Sequence, residues 1–128
     1  TSGIPITGVG LDVTEKCRLE GSDLDRLKGA TAPSAQFLYR LIQLWQQGNP
    51  NRFPTLHDPL AVGTALRSTL VETQTGSVQV EIASPQLYGT TVFTRDDKGS
   101  TRVARNVNPR EFLDLFIERV SAAPRVKP

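Results

Sequence analysis

Residues 4–13 read IPITGVGLDV, an apolar run interrupted only by small and turn-forming residues, with no alternation of polar and apolar positions. A strand with one wet face alternates with period two. A strand covered on both faces, as in a parallel sheet, does not. The run therefore predicts a parallel-type strand buried on both faces, and it restricts the chain to the α/β class. Parallel strands need neighbours reached by crossover connections. Little later in the chain reads as a matching parallel partner, so the strand is expected to complete its sheet with a segment upstream of Thr1. The absence of any methionine points the same way, towards processing or truncation.

Beyond this run the chain is helical in period. Ser22 and Asp25 are expected to open a short helix resembling a capping box, closed by Gly29. Thr31 and Pro33 start a longer helix to about Gln47, with Phe37, Leu38, Leu41, Ile42 and Trp45 on one apolar face. Gly48 ends it, and the loop GNPNRFPT leads to HDPLAVGTAL. There Asp58 is expected as N-cap, Pro59 as first helical residue, and Leu60, Ala61, Val62, Ala65 and Leu66 as the buried face. From residue 70 the period becomes two. Val78, Val80 and Ile82 alternate with Gln79 and Glu81. Two further strands are expected at about Gly89–Thr94 and Arg102–Val107, joined as an antiparallel hairpin through the turn DDKG at 96–99. Asn108, Pro109 and Glu111 start a last helix lined by Phe112, Leu113, Phe116, Ile117 and Val120, which frays into APRVKP. The reading is one domain over residues 1–128, with one parallel-type strand, three to four helices and a small antiparallel β element.

Composition narrows the function classes. The net charge is +2 from 15 basic and 13 acidic residues, and the basic ones are scattered without interleaved aromatics. This gives no nucleic-acid groove. No apolar run has membrane-spanning length. Cys17 is the only cysteine, which excludes an internal disulfide and suits a reducing cytoplasm.

Chemistry concentrates at His57 and Asp58, where a loop meets a helix. A carboxylate at a helix N-terminus is favoured as the anion by the dipole and the free N–H groups, and an ionised carboxylate suits a hard cation such as Ca²⁺. The neighbouring imidazole, the only histidine, can donate a proton near neutral pH. One carboxylate does not hold Ca²⁺, which takes six to eight oxygens. Asp96 and Asp97 read as turn residues, and Asp12 reads as a structural cap of the strand end with Thr14.

Two segments in order, SGIPITGVGLDVT at 2–14 and LHDPLAVGTAL at 56–66, resemble motifs of the nucleoside hydrolases. The downstream VQVEI, GTTV and NVN continue the resemblance over nearly the whole chain. The chain is identified as the C-terminal portion of such a protein, of the inosine-uridine preferring type. The resemblance implies that the parent is a Ca²⁺-dependent hydrolase of ribonucleosides to ribose and base, acting in purine and pyrimidine salvage. It implies Asp58 as a metal ligand, His57 as the proton donor to the leaving base, and both in contact with the nucleoside. Trp45 is a candidate for contact with the base, against a place in the core. The N-terminal aspartates that supply the general base and most metal ligands are absent here, so the chain alone is expected to be inactive. The partner is then the missing N-terminal portion. The alternative is a non-catalytic module that self-associates as a homo-oligomer through the edge of its strand.

Overall fold

The structure is a computed structural model describing residues 4–122. Residues 2 and 3 of the first motif and the tail APRVKP lie outside the described residues. Among the described residues the order is β1 (Ile6–Gly8), α1 (Leu11–Thr14), α2 (Gly21–Gly29), α3 (Pro33–Trp45), α4 (His57–Leu66), a 3₁₀ turn (Ser68–Leu70), β2 (Val71–Val80), β3 (Thr91–Arg95), β4 (Thr101–Val107) and α5 (Pro109–Ser121). The α/β class holds, with five α-helices rather than three to four. The strands form one mixed sheet in the order β1-β4-β2-β3.

The apolar run at 4–13 is a strand for only three residues. The Gly10 carbonyl accepts the N–H groups of Val13 and Thr14, both at 3.1 Å. The chain thereby coils into α1, and Asp12 lies exposed in that helix instead of capping a strand. β1 does pair in parallel, with β4 as partner, in the register Ile6–Thr101 to Gly8–Val103. A parallel neighbour therefore exists within the chain, contrary to the reading from periodicity. Nor is the strand buried: Ile4 is 67% and Ile6 53% exposed.

The expected hairpin between β3 and β4 is not formed. Both strands run antiparallel to β2 and flank it, β3 along Gly76–Val80 and β4 along Val71–Gly76. Residues 96–100 form a turn, but it carries the chain across β2 at Gly76. The crossing explains two glycines. A Cβ on Gly76 would run into the Thr94 carbonyl and the Phe93 ring, and one on Gly99 into the Gly76 backbone. A glycine inside a strand marks such a close approach.

Helix starts follow local chemistry. α2 is capped earlier than the sequence suggests. Glu20 is the N-cap, its side chain accepts from the Asp23 N–H, and its own N–H donates to Asp23 Oδ2 at 3.1 Å. Gly48, at φ +86°, lets the chain leave α3 in the left-handed region. α5 starts as expected, with Asn108 accepting from the Glu111 N–H at 3.3 Å.

The core is Val13, Cys17, Leu19, Leu27, Leu56, Leu60, Leu70, Phe112 and Ile117 against Val71, Ala104 and Val107 of the sheet. Two helix faces differ from expectation. In α3, Ala35 and Ile42 are buried while Phe37, Leu41, Leu44 and Trp45 stay exposed. In α4, Leu60, Gly63 and Thr64 face inward, because a side chain larger than glycine at 63 would press on Phe112 and Leu70. Ala61, Val62, Ala65 and Leu66, assigned to the core from spacing, are exposed. On the outer face of the sheet, Ile4, Ile6, Val78, Phe93 and Val103 line an open groove of about 920 Å³.

Candidate functional site

The two sequence motifs meet in space. After α1 the chain runs extended through Cys17–Leu19, and this segment is strapped to residues 54–56. The Leu19 N–H donates to the Pro54 carbonyl at 3.0 Å and the Leu56 N–H to the Cys17 carbonyl at 2.8 Å, with Arg18 and Thr55 as an antiparallel bridge. The sequence explains the placement: Cys17, Leu19 and Leu56 are apolar and buried, so the strap hangs from the core. Its result is a fixed entry angle for α4.

α4 begins at His57, with Leu56 as N-cap; Asp58 is the second helical residue and Pro59 the third, each displaced from the position expected. Asp58 is exposed in the first turn, where unpaired N–H groups favour an anion. His57 is half-buried. Its Nδ1 lies 2.7 Å from Thr14 Oγ1, the last residue of α1 and itself buried. Thr14 Oγ1 also lies 3.4 Å from the Leu11 carbonyl. Sequence spacing could not have found this contact, since the partners are 43 residues apart. The letters LDVT are visible in the sequence, but there Thr14 reads as part of a strand cap.

A second cleft, of about 480 Å³, runs along the α4 face formed by Ala61 and Ala65 towards Pro5, Thr7, Val9 and Arg102. His57 stands one turn before Ala61 on that face.

Trp45 stands at the far end of the loop that leads to His57. It is 43% exposed, and the Arg52 guanidinium stacks over its ring at 4.0 Å. The core placement weighed from helical spacing is therefore not adopted. Cys17 is fully buried, and desolvation pushes its thiol up to about 11 against a small opposing effect of Lys16. Such a thiol is a packing group, not a nucleophile. Among the described residues, no group of three or more His, Cys, Asp or Glu side chains could hold a metal ion. None of the helices there is long and apolar enough to cross a membrane.

The chain is similar to known proteins over most of its length. A pyrimidine-specific ribonucleoside hydrolase RihA from Photobacterium profundum is 30% identical over 94% of this chain and 42% of its own length. RihA of Salmonella gallinarum is 27% identical over 93% and 41%. Among solved structures, a purine-preferring ribonucleoside hydrolase from Gardnerella vaginalis superposes with a TM-score of 0.77 at 31% identity, covering 94% of this chain and 40% of that one. A plant nucleoside hydrolase shares the fold at a TM-score of 0.79 and 24% identity. The chain thus spans about two fifths of the length of the relatives it matches. Residues 1–114 match the family described as inosine-uridine preferring nucleoside hydrolase. With its two motifs joined at Thr14 and His57 as they are, the chain belongs to that family.

Proposed function

We propose that this chain is the C-terminal portion of a Ca²⁺-dependent nucleoside N-ribohydrolase, cleaving a ribonucleoside with water to ribose and free base, and that it folds as one unit. The observation that carries the reading is the joint between α1 and α4. It fixes a half-buried imidazole beside an exposed carboxylate at the start of α4, one turn before the part of that helix that lines the cleft. In this reading His57 protonates the departing base. Asp58 presents one carboxylate to the metal, and both border the nucleoside. Trp45, exposed and held flat by Arg52, is the candidate platform for the base. A purine and pyrimidine salvage role in the cytoplasm fits the lone, buried thiol.

The chain's own residues do not make a calcium site. Asp58 is a single carboxylate, whereas Ca²⁺ takes six to eight oxygens. The remaining ligands and the general base belong to the other three fifths of the family's length. That portion is also the occupant we assign to the outer sheet face, where Ile6, Val78 and Val103 line the groove and β1 forms an edge. Without it the chain is inactive.

Complementation tests the proposal. The chain is co-expressed with the N-terminal portion of a family member and assayed for ribose release from inosine and uridine. Activity is expected, and His57→Ala and Asp58→Ala should each lower it by about 10²–10⁴-fold. A complemented enzyme indifferent to both substitutions would remove the assigned roles.

A further inference from the structure

We propose that Thr14 is the positioning residue of His57: its hydroxyl donates to Nδ1, so the neutral ring carries its proton on Nε2 and presents that nitrogen away from α1. The inference rests on the reading of His57 as the group that faces the leaving base.

A threonine hydroxyl has one proton to give. Two acceptors are in reach. His57 Nδ1 is 2.7 Å away, while the Leu11 carbonyl is 3.4 Å away and already accepts the Glu15 N–H at 2.9 Å. The shorter contact lies in the range of a well-formed bond and the longer one beyond it. Were Nδ1 the donor instead, Oγ1 would accept at 2.7 Å and its own proton would be left with the 3.4 Å contact alone, so we assign the hydroxyl proton to Nδ1. The hydrogen bond on one ring nitrogen decides which tautomer a histidine adopts, so the proton of the neutral imidazole resides on Nε2.

Both ends of the contact are held. Thr14 is 2% exposed, its N–H donates to the Gly10 carbonyl at 3.1 Å, and its own carbonyl accepts from the Cys17 N–H at 2.9 Å. Its β-branched side chain is stiff at χ1. His57 follows Leu56, whose N–H is bound to the Cys17 carbonyl. Donor and acceptor thus hang from one strapped joint, and the ring has little freedom to turn over. The consequence is a directed N–H at the start of α4, suited to an acceptor nitrogen or carbonyl oxygen of a heterocyclic base. A ring without this anchor would populate both tautomers and present a lone pair part of the time.

Because the sequence holds a single histidine, nitrogen-15 NMR of the full chain reads this ring alone. At a pH well above the ordinary imidazole range, Nε2 should resonate as the proton-bearing nitrogen and Nδ1 as the acceptor. Thr14→Val keeps the branched shape and removes the hydroxyl, and should shift the ring to a mixture of tautomers. Thr14→Ser should restore the original pattern. A wild-type ring protonated on Nδ1 overturns the proposal, and so does a Thr14→Val ring unchanged from wild type. If Thr14→Val does not fold, the wild-type spectrum decides it alone. The spectra are recorded without substrate. Failure here therefore leaves the hydrolase reading intact, and failure of complementation leaves the tautomer intact.

Discussion

The helical side and the outer sheet face of this molecule both carry apolar residues, yet only one of them is closed. On the helical side Phe112, Leu60, Leu70 and Val13 are buried to within 2%. The motif segments 17–19 and 54–56 are strapped together, and Asp23, Arg110 and Asp114 tie α2 to α5, with Arg110 Nη2 at 2.8 Å from both carboxylates. On the outer face Ile6, Val78 and Val80 remain about half exposed at an open groove. The difference teaches which functions the chain completes alone. It builds the support of His57 from its own residues, and it leaves apolar surface open on the sheet.

Matched truncations on the two sides should separate most clearly. Phe112→Ala removes a ring packed under Gly63 and should cost about 3–5 kcal/mol. Val80→Ala on the outer face, where the side chain is half exposed, should change stability by less than about 0.5 kcal/mol. Urea unfolding measures both, and equal costs would erase the distinction between the sides.

Alkaline pH probes the closed side next. Burial raises the Cys17 thiol from 9.0 to about 11. The folded value exceeds the unfolded one, so its stabilising effect is complete below pH 9 and is lost as the pH rises towards 11. Two units correspond to roughly 2–3 kcal/mol. Wild type should lose about 1.5–2 kcal/mol more than Cys17→Ala between pH 8.5 and 10.5, and parallel losses would place the thiol in water.

The ion cluster gives the smallest effect and sharpens the contrast within the helical side. Asp23→Ala removes a buried partner of Arg110 and half of the α2 capping box, and should cost about 1–3 kcal/mol in the same unfolding assay. Asp114 is solvent-exposed. Arg110, and behind it Arg26, holds its carboxyl below the usual range, so its effect is present at neutral pH and fades as the pH falls. Asp114→Asn should scarcely move the midpoint. Equal losses for the two variants would mean that burial does not govern this cluster.

Much of this was legible in the residues, for identifiable reasons. The Asn108-Pro109-Glu111 start and apolar stripe of α5 were clear because cap and periodicity agree there. The run at 4–13 misled because absence of alternation signals burial on two faces, whereas here Gly10 coils the chain into α1 and Ile4 and Ile6 stay exposed. The turn at 96–99 and the two strands it joins were legible, but not that both pair with β2 instead of with each other; Gly76 inside β2 was the available sign of a crossing. His57 and Asp58 stood out as neighbours before a helix, while Thr14 could not, because its role depends on a fold contact with no local period.

The central claim, which rests on the proposed function, is that this chain holds His57 in place with its own residues but is only part of a hydrolase. The most direct measurement is ribose release by the chain alone, incubated with inosine or uridine and excess Ca²⁺. The expected result is no ribose above background; ribose above background would contradict the account.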